Sequence, residues 1–174
     1  MWHDIRKAFN WIDENAEARV AVIEGEGKHF TSGIDLQMMM GLLPSIKNEC
    51  DGRTRENLRR VILDLQDTLT AIERCRKPVL AAIHGGCVGG GVDLISCTDM
   101  RYCSADAYFT IKEIDIGMVA DVGTLQRLPK LIGNQGIVRE LAYPGRKVDA
   151  AEAQSIGLVN KVYESREAMQ AGVR

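Results

Sequence analysis

The sequence has little of what marks secreted, metal-binding or membrane-spanning chains. Its five cysteines, Cys50, Cys75, Cys87, Cys97 and Cys103, are odd in number and form no Cys-x-x-Cys pair. They read as the reduced thiols of a non-secreted protein, not as a disulfide framework. The three histidines, His3, His29 and His84, are scattered, without ligand spacing to cysteine or acid, so structural roles are expected and a metal site is not. No apolar run approaches the roughly 20 residues that span a bilayer, and the opening Met1-Trp-His-Asp4 has neither signal-peptide nor transit-peptide character. The closing Ala171-Gly-Val-Arg174 is no peroxisomal tripeptide, so the chain carries no targeting signal of its own. An excess of one charge is missing too. Lysine and arginine number 22 against 24 acids, with no basic block, which argues against nucleic acid or an anionic membrane surface. A soluble protein with a small-molecule partner is the expectation.

What is present is a steady alternation of helical and extended patterns. Trp2, Ile5, Phe9 and Ile12 recur at helical spacing and predict a helix ending near Asn15, followed by a strand over 19–24. Gly25 and Gly27 turn the chain. Gly33 leads to a helix start at Asp35-Leu36, with Asp35 at its cap. Residues 44–55 read as a polar, mobile stretch, and from Leu58 a helix carries Val61, Ile62, Leu65, Leu69 and Ile72 on one face until Lys77-Pro78 stops it. Val79–Ile83 is a buried strand, a glycine segment opens a helix running to about Ser96, and residues 100–103 and 108–111 are short strands. Helical stretches surround Pro129 and Gly133. Asp149 caps a helix ended by Gly157, and residues 158–163 form a last strand. This pattern predicts an α/β fold with a mostly parallel sheet. At 174 residues and 45% hydrophobic, with no repeat, low-complexity tract or linker, one domain over 1–174 is expected.

The segment His84-Gly-Gly-Cys-Val-Gly-Gly-Gly-Val-Asp93 is the most informative. Three consecutive glycines, Gly89 to Gly91, permit positive φ and close ligand approach, so main-chain N–H groups at a helix start can face a bound oxygen. The competing reading is a tight strand-to-helix turn that needs glycine for packing alone. A nucleotide-phosphate loop fails on detail: no Lys-Ser or Lys-Thr follows, and the Gly-x-Gly-x-x-Gly spacing is lacking. Among the acids, Asp35, Asp99, Asp106 and Asp149 read as caps or turn residues. Asp93, Glu113 and Asp121 differ in having apolar neighbours, Val92 and Leu94, Ile114, and Ala120 and Val122, a setting that raises carboxyl pKa values and suits groups that both accept and donate protons. Met38 to Met40 suit either a flexible acyl-chain contact or a helical core stripe, the commoner use.

Taken together, Phe30-Thr-Ser-Gly-Ile-Asp-Leu36 and the Gly85–Asp93 segment resemble the signature of the crotonase (enoyl-CoA hydratase/isomerase) superfamily. Asp93, Glu113 and Asp121, with Ala120–Pro129, resemble its Δ3,5-Δ2,4-dienoyl-CoA isomerases most closely. The resemblance implies a crotonase-like ββα spiral lacking the first strand and the C-terminal helices, since members are longer at both ends. It also implies acyl-CoA as substrate, no cofactor beyond that coenzyme A, and work in peroxisomes or mitochondria. Full-length members form trimers and hexamers, so the chain alone is expected to be marginally stable and weakly active or inactive. By motif match the oxyanion-hole donors are the N–H groups of Ile34 and Gly90, and Ser32, Gly33, Ile34, Asp35, Leu36 and Gly90 line the substrate. Hydratases use glutamates at the positions of Asp93 and Glu113 to handle water. Here Asp93 is shorter and Asp121 is added, which favours isomerisation: Glu113 removes the C2 proton, Asp121 reprotonates C6 and Asp93 orients or tunes the pair. Spacing does not decide which acid is base and which is donor. A hydratase, or a catalytically silent form that binds acyl-CoA or partner subunits, is the alternative.

Overall fold

The computed structural model describes residues 2–174. Four parallel strands form the main sheet, in the spatial order β1 (Ala21–Glu24), β2 (Val79–Ile83), β4 (Met100–Ser104) and β7 (Lys161–Tyr163). All five residues of β2 are buried. That is why Val79-Leu-Ala-Ala-Ile83 is an unbroken apolar run, as an inner parallel strand covered on both faces requires. A second sheet joins β3 (Gly86–Val88), β5 (Tyr108–Thr110) and β6 (Val148–Asp149), with β3 parallel and β6 antiparallel to β5. The helices are α1 (Trp2–Glu14), α2 (Leu36–Ile46), α3 (Asp51–Arg74), α4 (Gly90–Ile95), α5 (Thr124–Ile132), α6 (Gln135–Ala142), α7 (Ala150–Ser155) and α8 (Arg166–Val173), with a 3-10 turn over Glu113–Ile116. No helix among the described residues is long and apolar enough to cross a membrane.

Two apolar clusters hold these elements. The larger surrounds Phe109, Ile83, Ile95, Leu128 and Leu158 between the sheets and α4 to α7. The smaller joins Trp2 and Phe9 of α1 to Leu69 and Ile72 of α3, Val79 and Cys97. Leu94 packs against both, so α4 sits at their seam. The end of α1 is fixed electrostatically: the Lys77 ammonium donates to the carbonyls of Ile12 and Asn15, where the helix leaves carbonyls unpaired and favours a cation.

Several expectations are corrected. Residues 44–55 are largely helical: Pro44 lies in the last turn of α2 and α3 begins at Asp51, seven residues before Leu58. Polar side chains of α3 tie down the turn between the two helices. Thr54 Oγ1 accepts from Asn48 N–H at 2.9 Å, and Asn57 Nδ2 donates to the Ile46 carbonyl at 3.1 Å. The last strand covers only Lys161–Tyr163, because the Leu158 and Val159 N–H groups are spent on the Ala153 carbonyl at the end of α7. The first strand likewise shrinks to Ala21–Glu24, β3 emerges from the glycine segment, and α8 arises behind a Ser165 cap that patterning did not flag. The methionine stripe of α2 is not core: Met38 and Met40 are exposed.

Truncating Leu69, fully buried where α3 meets α1, should cost about 2–5 kcal/mol through lost transfer energy and the cavity left behind. Urea denaturation of Leu69→Ala against the parent measures it.

Candidate active site

The site is built where the chain after β1 meets the glycine segment. Thr31 bridges to Cys87 in parallel pairing, and three main-chain bonds lock the two segments: Phe30 N–H to His84, Thr31 N–H to Gly86 and Val88 N–H to Thr31. His29 Nδ1 accepts from Gly86 N–H at 2.9 Å and His84 Nε2 pairs with the Gly27 carbonyl at 2.8 Å, so both histidines are structural. Gly33, at φ 99°, turns so tightly that an added Cβ would lie 3.2 Å from the Val88 carbonyl oxygen. Ile34 and the start of α4 are thereby carried on adjoining stretches of main chain.

The three glycines differ in why they are needed. Gly89 has φ 54°, a conformation that side chains strain to adopt, and its N–H donates to the Thr110 carbonyl at 2.9 Å. An added Cβ there would stand 3.3 Å from a Glu113 carboxylate oxygen. At Gly91 a Cβ would collide with the Thr31 methyl at 2.3 Å. At Gly90 a Cβ would meet only ring carbons of Trp2, at 3.9 and 4.0 Å. Backbone conformation thus explains Gly89 and packing explains Gly91, and neither explains Gly90. Of the loop residues matched by motif, Ser32 and Leu36 are exposed, Gly33 and Ile34 half-buried. Asp35 Oδ1 caps α2, accepting from Gln37 N–H at 2.9 Å and Met38 N–H at 3.1 Å.

Glu113 opens the 3-10 turn after β5, and Asp121 sits in the loop between that turn and α5. Asp93, in α4, has no exposed surface. Its Oδ1 accepts the Thr124 N–H at 2.6 Å at the start of α5, while Oδ2 is buried without a partner. Glu113 Oε2 is also buried and unpartnered. Burial pushes the Glu113 carboxyl from an ordinary 4.5 up to about 7, and the charges of Asp93 and Asp121 act in the same direction against backbone N–H groups that lower it. Asp93 and Asp121 are raised as well, each chiefly by burial. Three acids spread over 29 residues of sequence therefore act on one another electrostatically, with Glu113 the one beside the Gly89 turn. Burial has the opposite use at the thiols: Cys97 and Cys103 are pushed up to about 12 and held as neutral core groups.

Patterning missed three contributors. Trp2 reads only as an apolar helix residue, yet its ring is what a side chain at Gly90 would meet. Thr31 fills the space that Gly91 leaves open. Gln66 donates to the Asp121 carbonyl at 2.5 Å from the middle of α3, and no local sequence signal marks a contact between residues 55 positions apart. Two surface cavities lie elsewhere: one of about 160 Å³ between α1 and α3 at Arg6, Asp13 and Arg74, the other of about 340 Å³ along the first turns of α3.

Residues 1–173 match the model of the enoyl-CoA hydratase/isomerase family. The chain belongs to that family. Within the enoyl-CoA hydratase/isomerase family it is 51% identical over 168 residues to the human mitochondrial Delta(3,5)-Delta(2,4)-dienoyl-CoA isomerase, covering 97% of this chain and 51% of that protein. It is 49% identical to the peroxisomal enzyme of that name from Arabidopsis thaliana, over 96% of this chain and 60% of that one. A crotonyl-CoA hydratase of Syntrophomonas wolfei is 33% identical, over 94% and 59%. Among solved structures, an enoyl-CoA hydratase/isomerase from Marinobacter aquaeolei superposes with a TM-score of 0.87 at 26% identity, covering 99% of this chain and 64% of that one. The enoyl-CoA hydratase of Bacillus anthracis gives 0.84 at 31%, over 99% and 62%. The α/β fold expected from the resemblance is therefore that of its family, and the chain spans about half the length of the human relative.

The raised Glu113 carboxyl has a thermodynamic signature. A group whose pKa rises on folding contributes stability that is present below its ordinary value and is lost as pH rises through the folded value. Glu113→Gln should therefore raise Tm relative to the parent at pH 8, with the difference shrinking as pH falls through about 7 and vanishing below about 4.5. Differential scanning calorimetry across that range tests it.

Proposed function

We propose that the protein isomerises 3,5-dienoyl-CoA thioesters to 2,4-dienoyl-CoA thioesters in the oxidation of unsaturated fatty acids. The observation that carries the reading is the third acid: half-buried Asp121 acts, with fully buried Asp93, on the carboxyl of half-buried Glu113, in a chain half identical to enzymes named for this reaction. The coenzyme A is part of the substrate and no other cofactor is needed, because the reaction moves protons and double bonds without net oxidation.

The Glu113 carboxylate takes a proton from C2. The electron pair released enters the conjugated system, the 3,4 and 5,6 double bonds shift to 2,3 and 4,5, and a proton from Asp121 is added at C6. Between these steps the negative charge rests on the thioester oxygen, for which the N–H groups of Ile34 and Gly90 are the donors. Losing one such donor typically costs roughly 10²- to 10³-fold. Asp93 does not touch substrate in this scheme: it has no exposed surface and one oxygen committed to Thr124, so it orients α5 and adds its charge to the pair. Ser32, Gly33 and Leu36 flank the acyl chain, with Asp35 fixing the helix behind them. Relatives are named mitochondrial and peroxisomal, and one of those two compartments is the proposed location. Trimers, singly or paired, are the proposed assembly.

In the protein expressed from its complete reading frame, Glu113→Gln and Asp121→Asn should each lower dienoyl isomerisation by roughly 10²- to 10⁴-fold, the share a general acid–base group supplies. Acyl-CoA affinity should hold. Ultraviolet absorbance of the conjugated product measures turnover, and parent-like rates in either variant exclude the assignment. A 2-enoyl-CoA offered in parallel separates a hydratase, which would bleach it. Because the Glu113 carboxyl must be ionised to accept the proton, the rate should rise with pH through about 7.

A further inference from the structure

Asp121 lies in a loop bracketed by Gly117 at φ 72° and Gly123 at φ 147°, two positions of high backbone freedom. Something outside the loop must hold the acid in place. At its start the Met118 N–H donates to the Glu113 carbonyl, and at its end the Thr124 N–H donates to Asp93. At Asp121 itself the tie comes from α3: the Gln66 amide donates to the Asp121 carbonyl at 2.5 Å. Thr70 and Glu73 follow Gln66 at four- and seven-residue spacing, which places all three on one helix face. Thr70 accepts from the Arg127 guanidinium at 3.2 Å, and Glu73 accepts from it at 2.7 and 3.0 Å. That guanidinium fills the space beside Gly123, where an added Cβ would stand only 2.0 Å away. This polar stripe of α3 therefore grips the segment 121–127 alongside the apolar stripe of Leu65, Leu69 and Ile72.

We infer that Gln66 is a positioning residue for Asp121, setting the acid's reach to the far end of the dienoyl group while leaving Glu113 untouched. The inference rests on the proposed isomerisation. Its signature is a split between the two proton transfers. With Asp121 displaced, a dienolate formed by Glu113 is returned to C2 instead of being completed at C6.

The test uses the protein from its complete reading frame in D₂O with a 3,5-dienoyl-CoA, following deuterium entry at C2 by mass spectrometry and product by absorbance. Gln66→Met keeps the side-chain length and removes the donor. It should slow isomerisation by roughly 10- to 100-fold, the scale of an ångström-size misplacement, while C2 exchange stays within about twofold. Gln66→Lys, which restores a donor of sufficient reach, should recover most of the isomerisation. If exchange and isomerisation fall together in Gln66→Met, or neither changes, Gln66 has no such role and the inference is overturned. If the parent protein neither isomerises nor exchanges the substrate, the proposed reaction itself fails.

Discussion

The site depends on two stretches of main chain lying closer together than side chains would allow. Thr31–Ile34 and Cys87–Gly91 are pinned by hydrogen bonds, Gly91 has no room for even a methyl group, and Gly33 combines a tight approach to Val88 with a positive φ. Because backbone N–H groups are fixed by the fold and not by rotamer choice, donors presented this way need little reorganisation when charge develops before them. Gly90 is the telling member. Backbone conformation on one side of it and packing on the other demand glycine, and neither does so there, so its absent side chain calls for an explanation outside the protein's own packing.

Against that rigid floor stands a group of acids that the fold keeps only partly satisfied. Leaving Asp93 Oδ2 and Glu113 Oε2 buried and unpartnered disfavours their charged forms, since a carboxylate removed from water without compensating bonds is costly. The structure accepts that cost at the seam between its two apolar clusters, where α4 is packed from both sides. A well-packed frame around under-satisfied polar atoms is the pattern expected where stability is traded for chemistry.

The fold and the site were legible in the sequence to different depths. The buried strand Val79–Ile83, the α1 and α3 stripes and the Asp35 and Asp149 caps follow from periodicity and local chemistry, and the structure has them. Residues 44–55 were misleading because the polarity that suits a mobile loop also suits a short helix-to-helix turn tied by side-chain hydrogen bonds, and composition does not separate the two. Asp93, Glu113 and Asp121 stood out through apolar neighbours, a one-dimensional trace of their burial. What pairs with them did not. Thr124, Gln66 and Trp2 reach the site through long-range contacts that local pattern does not encode, and the motif match carries no information about them.

Trp2 brings the first turn of α1 close to the start of α4, where its ring carbons would meet a side chain placed at Gly90. Helix α1 is held by its apolar face, by the Lys77 ammonium at its end and by the Asp13–Arg76 pair, and helix ends are where local opening begins. The glycine turn thus borders the smaller apolar cluster, and the packing of α1 and the surroundings of Gly90 are not independent.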